Sequence, residues 1–247
     1  MTIHETAIVS PKANIGENVT VGQFTTIYDN VVIKDNTVIE GYCELGVPNH
    51  LSKGASLVIG TNSVLRSHSV FYEGSTFGDE LVTGHRVTVR EKTVAGKNFQ
   101  IGTLSDIQGH CTIGDYVRTH SNVHIGQHSN IGNFVWIFPY VVLTNDPHPP
   151  SDIMQGVVVE DFAVIATMTV VLPGALISEG CLIGAHSSIS GKTIKDSIYV
   201  GSPAKNVGPT SKLKLKDGSR KPAYPWRKHF HRGYPKPVVD VWCSEKY

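Results

Sequence analysis

The chain has 247 residues, enough for one large domain or two small ones, since domains run to roughly 100–200 residues. Its 22 Lys and Arg against 21 Asp and Glu leave a formal charge of +1, which excludes a whole-chain field that would gather nucleic acid or another polyanion. With 40% hydrophobic and 17% charged residues, and no apolar run near the ~20 residues of a membrane helix, neither a disordered chain nor a helical membrane protein is expected. Residues 1–7 lack the basic segment and apolar stretch of a secretory signal, and the four cysteines show no zinc-site spacing. Cytoplasmic residence with reduced thiols is the expectation.

In chain order, the first block places an inward-compatible aliphatic at every sixth position: Ile15, Val21, Ile27, Ile33, Ile39 and Leu45. The register then slips, because 59 − 45 = 14 is not a multiple of six, and residues 47–54 are predicted to bulge outward. From Ile59 the spacing resumes through Leu65, Phe71, Phe77, Thr83, Val89, Ala95, Ile101, Ile107, Ile113, Thr119, Ile125, Ile131, Ile137 and Leu143 without a slip. A second break, between Leu143 and Val159, carries Thr144-Asn-Asp-Pro-His-Pro-Pro, after which a third block runs from Val159 to Ile189. Four residues after the aliphatic sits a small or β-branched residue, as at Thr25, Cys43, Ser63, Ser105, Cys111 and Cys181, so these cysteines read as core packing rather than thiol chemistry. Glycine often follows the aliphatic directly, as at Gly16, Gly60, Gly102 and Gly184, where a sharp corner favours a residue without Cβ.

A period of six fits neither the 3.6 of a helix nor the turn spacing of a hairpin meander, and it predicts an all-β parallel solenoid. Residues eighteen apart then lie one above another at roughly the 4.8 Å strand spacing. The hexad resembles that of the hexapeptide-repeat acyltransferases from about Ile15 to Ala204. That resemblance implies a left-handed parallel β-helix with three hexads per triangular coil, an exception to the right-handed crossover rule. The chain divides on this reading into a β-helix domain, 1–206, and a C-terminal segment, 207–247. In that segment Lys212, Lys214, Lys216, Arg220, Arg227 and Arg232 interleave with Tyr224, Trp226, Phe230 and Tyr234. Capping or subunit contact is its leading reading; phosphate binding on coenzyme or nucleotide, and nucleic-acid binding, are the alternatives.

Function in solenoids sits on excursions and on outward ladders. In the second break, prolines flank His148 and restrict its backbone, which makes it the first choice for a general base. His110 and His128 are eighteen apart and should stack, while His120, Asn122 and His124 lie on the next face, with His120 and His124 as further catalytic candidates. The segments around Asn122 and Thr144-Asn145 look like the nucleotide-linked aminosugar N-acetyltransferase branch of the family. That likeness implies an acetyl-CoA-dependent transfer to an amine, with Asn122 orienting the thioester or amine and Asn145, Asp146 and Tyr140 contacting substrate. His148-Pro149 is similar instead to the sugar O-acetyltransferase branch, which keeps a hydroxyl acceptor open. The closing segments resemble the family's coenzyme groove, which implies Ala166, Gly184, Ala185, Pro203, Ala204 and Lys205 along coenzyme A. No metal is expected: the His110, His120 and His124 spacing departs from the zinc carbonic anhydrases of this fold. A non-catalytic scaffold is the remaining class. The resemblance also implies a homotrimer with sites between subunits, in which Trp136, Phe138 and Tyr140 would be buried against a neighbour. Neither nucleic acid nor membrane insertion is expected.

Overall fold

Each hexad folds as a strand of two or three residues and a turn, because only the aliphatic and the small position need to face inward. In the computed structural model, which describes residues 1–245, these strands stack in parallel as a left-handed β-helix of about 11 turns. The first face starts at Thr2–Ile3, the second at Ile8–Val9 and the third at Asn14–Ile15, so coiling begins two hexads before the expected Ile15. Register follows the eighteen-residue step, as in Val82↔Gln100, Asp106↔His124 and Thr112↔Asn130. One continuous core runs up the axis, with Phe71 and Phe77 edge to face at 5.3 Å and Cys43, Cys111 and Cys181 pointing inward, as expected. Hydroxyls at the small position are buried but satisfied: Ser63 donates to the Gly60 carbonyl at 2.8 Å and Ser69 to that of Arg66 at 2.8 Å.

The glycines after the aliphatic serve a different purpose from the one expected. Positive φ falls two residues later, at Asn18, Asn36, Asn98, Tyr116 and Asn122 among others, so the left-handed corner is held mostly by residues with side chains. At Gly102 the reason is contact between coils: a Cβ there would stand 2.1 Å from the His120 carbonyl carbon.

Both register breaks leave at the same corner, between the second and third faces. The first excursion closes over two buried carboxylates eighteen apart, Glu73 and Glu91. Asn49 bridges them, its backbone N–H donating to Glu73 at 3.3 Å and its side-chain amide to Glu91 at 2.5 Å. Arg90 pairs with Glu91 at 3.2 Å, and Ser52 donates to Glu73. Burial opposes ionisation of Glu73, but hydrogen bonds from Asn30, Ser52 and Asn49 outweigh it and hold its pKa below the ordinary value. A lowered carboxyl pKa contributes stability fully above the unfolded value of about 4.3, and that contribution is lost as pH falls through the folded one. Asn49→Ala is expected to cost about 1–3 kcal/mol in chemical denaturation at pH 7 by leaving buried carboxylate oxygens short of donors. The difference from wild type should narrow in acid.

The first face ends in a hairpin, Ser197–Gly201 with Ala204–Pro209, whose second strand contains the expected 206/207 division. Beyond it the tail turns back along a flank of the helix. At the corner between the third and first faces the rings of Tyr116, Phe134 and Phe162 stack at 5.1 and 5.0 Å, interplanar 2° and 4°. Trp242 of α1 (Lys236–Ser244) packs edge-on against Phe134 at 5.2 Å and Tyr234 at 4.8 Å. Trp136 is thus covered within its own chain, by Trp226, Phe230 and Tyr234, with its Nε1 donating to the Tyr234 hydroxyl at 2.8 Å. This corrects the expectation that a neighbouring subunit buries it: the tail's rings are complementary to the flank and already tethered to it.

Candidate functional site

Outward side chains at the centre of the second face form a column in strict register, and Asp106, His124 and Val142 occupy successive levels of it. The eighteen-residue step therefore puts a carboxylate directly beneath an imidazole, with Asp106 Oδ2 3.0 Å from His124 Nδ1. Gln108 donates to the same carboxylate at 2.5 Å. Partial burial disfavours the ionised Asp106, but the hydrogen bonds from His124 and Gln108, with the charge of Arg90, keep its pKa below the ordinary range. An ionised Asp106 can only accept, so Nδ1 of His124 carries a proton, and in the neutral imidazole the lone pair is then on Nε2. The His124 side chain is 40% exposed, and Nε2 makes no hydrogen bond within the described residues. This is the carboxylate–imidazole arrangement of a general base.

Several expected residues surround this face. Asn122 holds a left-handed turn at its edge with the first face, one level below Tyr140, which is 53% exposed. At the opposite edge the loop 144–157 starts immediately after Val142–Leu143, one level above His124. Asp146 shapes that loop, accepting the N–H of His148 at 3.1 Å and of Ser151 at 3.2 Å, while Asn145 donates to the Met154 sulfur at 3.3 Å. The carboxylate expected to meet substrate is thus committed to the loop's own backbone. His148 is exposed, and its imidazole makes no hydrogen bond among the described residues.

His120 lies on a different face. Its ring stacks on Phe138 at 4.7 Å and 18°, with Trp136 at 5.9 Å, and burial lowers its pKa. Above Phe138 on the first face follow Ala166 and Gly184, whose N–H groups donate to Ile183 and Tyr199 on the next coil, and then Val200, paired with Lys205 in the closing hairpin. Beside the closing hairpin stand exposed Ala185, Pro203 and Lys205 with half-buried Ala204. Of the expected coenzyme residues, Ala166 and Gly184 thus share one ladder on the face next to His124, and Pro203, Ala204 and Lys205 belong to the hairpin that closes that face. His110 and His128 lie one above the other on adjacent coils as expected, with ring centroids 5.1 Å apart and the rings tilted by 48°. No group of three or more His, Cys, Asp or Glu among the described residues is placed to hold a metal. Sequence reasoning missed Asp106, although the signal was available: 124 − 106 = 18, the same step that paired His110 with His128.

Comparison with known proteins agrees with this architecture. The family model "Bacterial transferase hexapeptide (six repeats)" matches residues 12–46. No curated protein matches the sequence. Among solved structures, the Arabidopsis UDP-N-acetylglucosamine acyltransferase is similar with a TM-score of 0.62 at 19% identity, over 84% of this chain and 74% of that one. The UDP-N-acetylglucosamine acyltransferase of Bacteroides fragilis gives a TM-score of 0.50 at 16% identity, over 96% and 80%. At these identities the likeness is one of fold. The resemblance to hexapeptide-repeat acyltransferases drawn from the hexad is borne out in repeat and architecture.

Proposed function

We propose that this protein is an acyltransferase that moves an acetyl group from acetyl-CoA to the amino group of a nucleotide-linked amino sugar, with His124 as general base. The observation that carries this reading is the Asp106–His124 pair at 3.0 Å on an open face of a hexapeptide β-helix. Its fold is shared with enzymes that act on UDP-N-acetylglucosamine, which supports a nucleotide-sugar acceptor. The geometry favours His124 over His148 because only His124 has a carboxylate to set its tautomer. His148 is assigned to acceptor contact, with Asn145, Tyr140 and the loop they border.

In the proposed step the neutral amine attacks the thioester carbonyl, forming the C–N bond. His124 Nε2 takes the proton that the amine sheds, and Asp106 stabilises the resulting imidazolium without itself being protonated. Collapse breaks the C–S bond, and His124 returns the proton to the departing thiolate. Asn122, whose side-chain amide makes no hydrogen bond among the described residues, is positioned to orient the thioester or the amine. The small side chains of Ala166, Gly184 and Ala185 are assigned to the pantetheine arm, and Lys205 is a cation for the coenzyme phosphates. No acyl-enzyme is required.

The test is release of free coenzyme A over a panel of amino-sugar nucleotides with hydroxyl-bearing analogues alongside. Release with amines alone supports the reading; release with the hydroxyl analogues alone replaces it by O-acetylation, and no release with any acceptor overturns acyl transfer. A homotrimer is part of the proposal, supported by the exposed ridge of Phe24, Tyr42, Leu104, Tyr140 and Met168 along one corner. A monomer mass in light scattering at micromolar protein would contradict it.

A further inference from the structure

The returning tail creates a cleft on the first face that the proposed chemistry does not use. Its volume is about 440 Å³, and its lining includes Arg66, Gln100, Arg118, His120, Trp136 and Arg232. Three of the chain's seven arginines meet there, and no aspartate or glutamate lines it. The three have different tasks. Arg118 is buried and committed: it donates to the Asn98 carbonyl and side chain and, at 3.3 Å, to the Gly233 carbonyl, so it pins the tail beside Arg232. Arg232 is exposed and makes no hydrogen bond or ion pair among the described residues. Arg66 has one loose pairing, to Glu40 at 3.4 Å, and its side chain is 45% exposed. The amide of Gln100 and the hydroxyl of Ser121 also have no partner among the described residues. Trp136, tethered through Nε1 to Tyr234, and His120, stacked on Phe138, supply a fixed aromatic wall.

We infer that this cleft binds the diphosphate of a phosphorylated ligand between Arg66 and Arg232, with the attached ring against Trp136 and His120. Two guanidiniums without a carboxylate between them match a phosphate group in charge and in planar, bidentate geometry. One arginine comes from the coils and the other from the tail, so the site exists only when the tail is docked, and that is a reason for the buried Arg118 at this junction. The chemistry fits two sources, the nucleotide diphosphate of the acceptor and the pyrophosphate of coenzyme A. Naming these two sources rests on the acyl-transfer reading; recognition of a diphosphate does not.

The experiment is titration calorimetry of the full chain with pyrophosphate, UDP and coenzyme A in separate runs, with tryptophan fluorescence as a second readout because Trp136 lines the cleft. UDP or coenzyme A is expected to bind more tightly than pyrophosphate, with affinity falling as salt rises. Whichever of the two loses affinity in the Arg66→Gln/Arg232→Gln double variant identifies the source. Arg232→Gln and Arg66→Gln should each weaken binding by about tenfold, the loss of one charge-assisted contact, while Arg232→Lys retains part of it. Lys214→Gln, a basic change elsewhere on the tail, should leave binding unaltered. Absence of binding by all three ligands at millimolar concentration, or unchanged affinities in the Arg66→Gln/Arg232→Gln double variant with a wild-type melting temperature, overturns the inference. Loss of acyl transfer in His124→Ala with UDP binding intact separates the fate of the base from that of this cleft.

Discussion

His124→Ala is expected to lower turnover by ~10²–10⁴-fold, the range for loss of a general base, with coenzyme binding little changed. The Asp106 carboxylate leaves Nε2 of His124 as the acceptor, so removing the imidazole removes the proton's destination. Asp106→Asn should cost about 10²-fold, because an amide neither fixes the Nδ1–H tautomer nor stabilises the imidazolium. If the acceptor is an amine, the His124→Ala deficit should shrink as pH rises and the amine becomes neutral without help; for a hydroxyl acceptor it should persist. His148→Ala is expected to raise KM and to change kcat by less than about tenfold. Near-normal turnover of His124→Ala beside a severe loss in His148→Ala would move the base to the loop.

Trp242→Ala should unfasten the tail while leaving the coils intact. Trp242 is 3% exposed and touches Phe134, Phe162, Trp226 and Tyr234, so truncation opens a large cavity at the centre of the aromatic cluster. Loss of a buried tryptophan costs ~3–5 kcal/mol, which is of the order of the docking energy of a segment this short. Limited proteolysis should then cleave within 210–245 at a rate well above wild type, while the β-sheet signal in circular dichroism and the melting of the coils stay unchanged. Equal proteolytic resistance of the two proteins would mean that the tail is held by other contacts, Arg118 to Gly233 foremost. Because Arg232 rides on the tail, the same variant should lose diphosphate affinity.

The hexad by itself determined the solenoid, its inward cysteines and the placing of His110 beneath His128, because a strict period leaves no choice of which residues share a ladder. Both excursions were legible as slips of that period. The same step places Asp106 beneath His124, although nothing in the hexad distinguishes a carboxylate from any other outward side chain. What the period could not supply was anything off the ladder. Whether Asp146 faces substrate or its own loop depends on local hydrogen bonds with no repeat to constrain them. The hexad marks where the glycines fall but not why, since the contact that excludes a Cβ at Gly102 comes from the next coil rather than from the turn. The tail was decided only in three dimensions: its rings have no period, and their partners Tyr116, Phe134 and Phe162 look in sequence like unrelated corner residues. Stacking aligns those three into one apolar strip, and burying that strip under Trp226, Tyr234 and Trp242 turns the tail down the flank and brings Arg232 to the cleft beside Arg66.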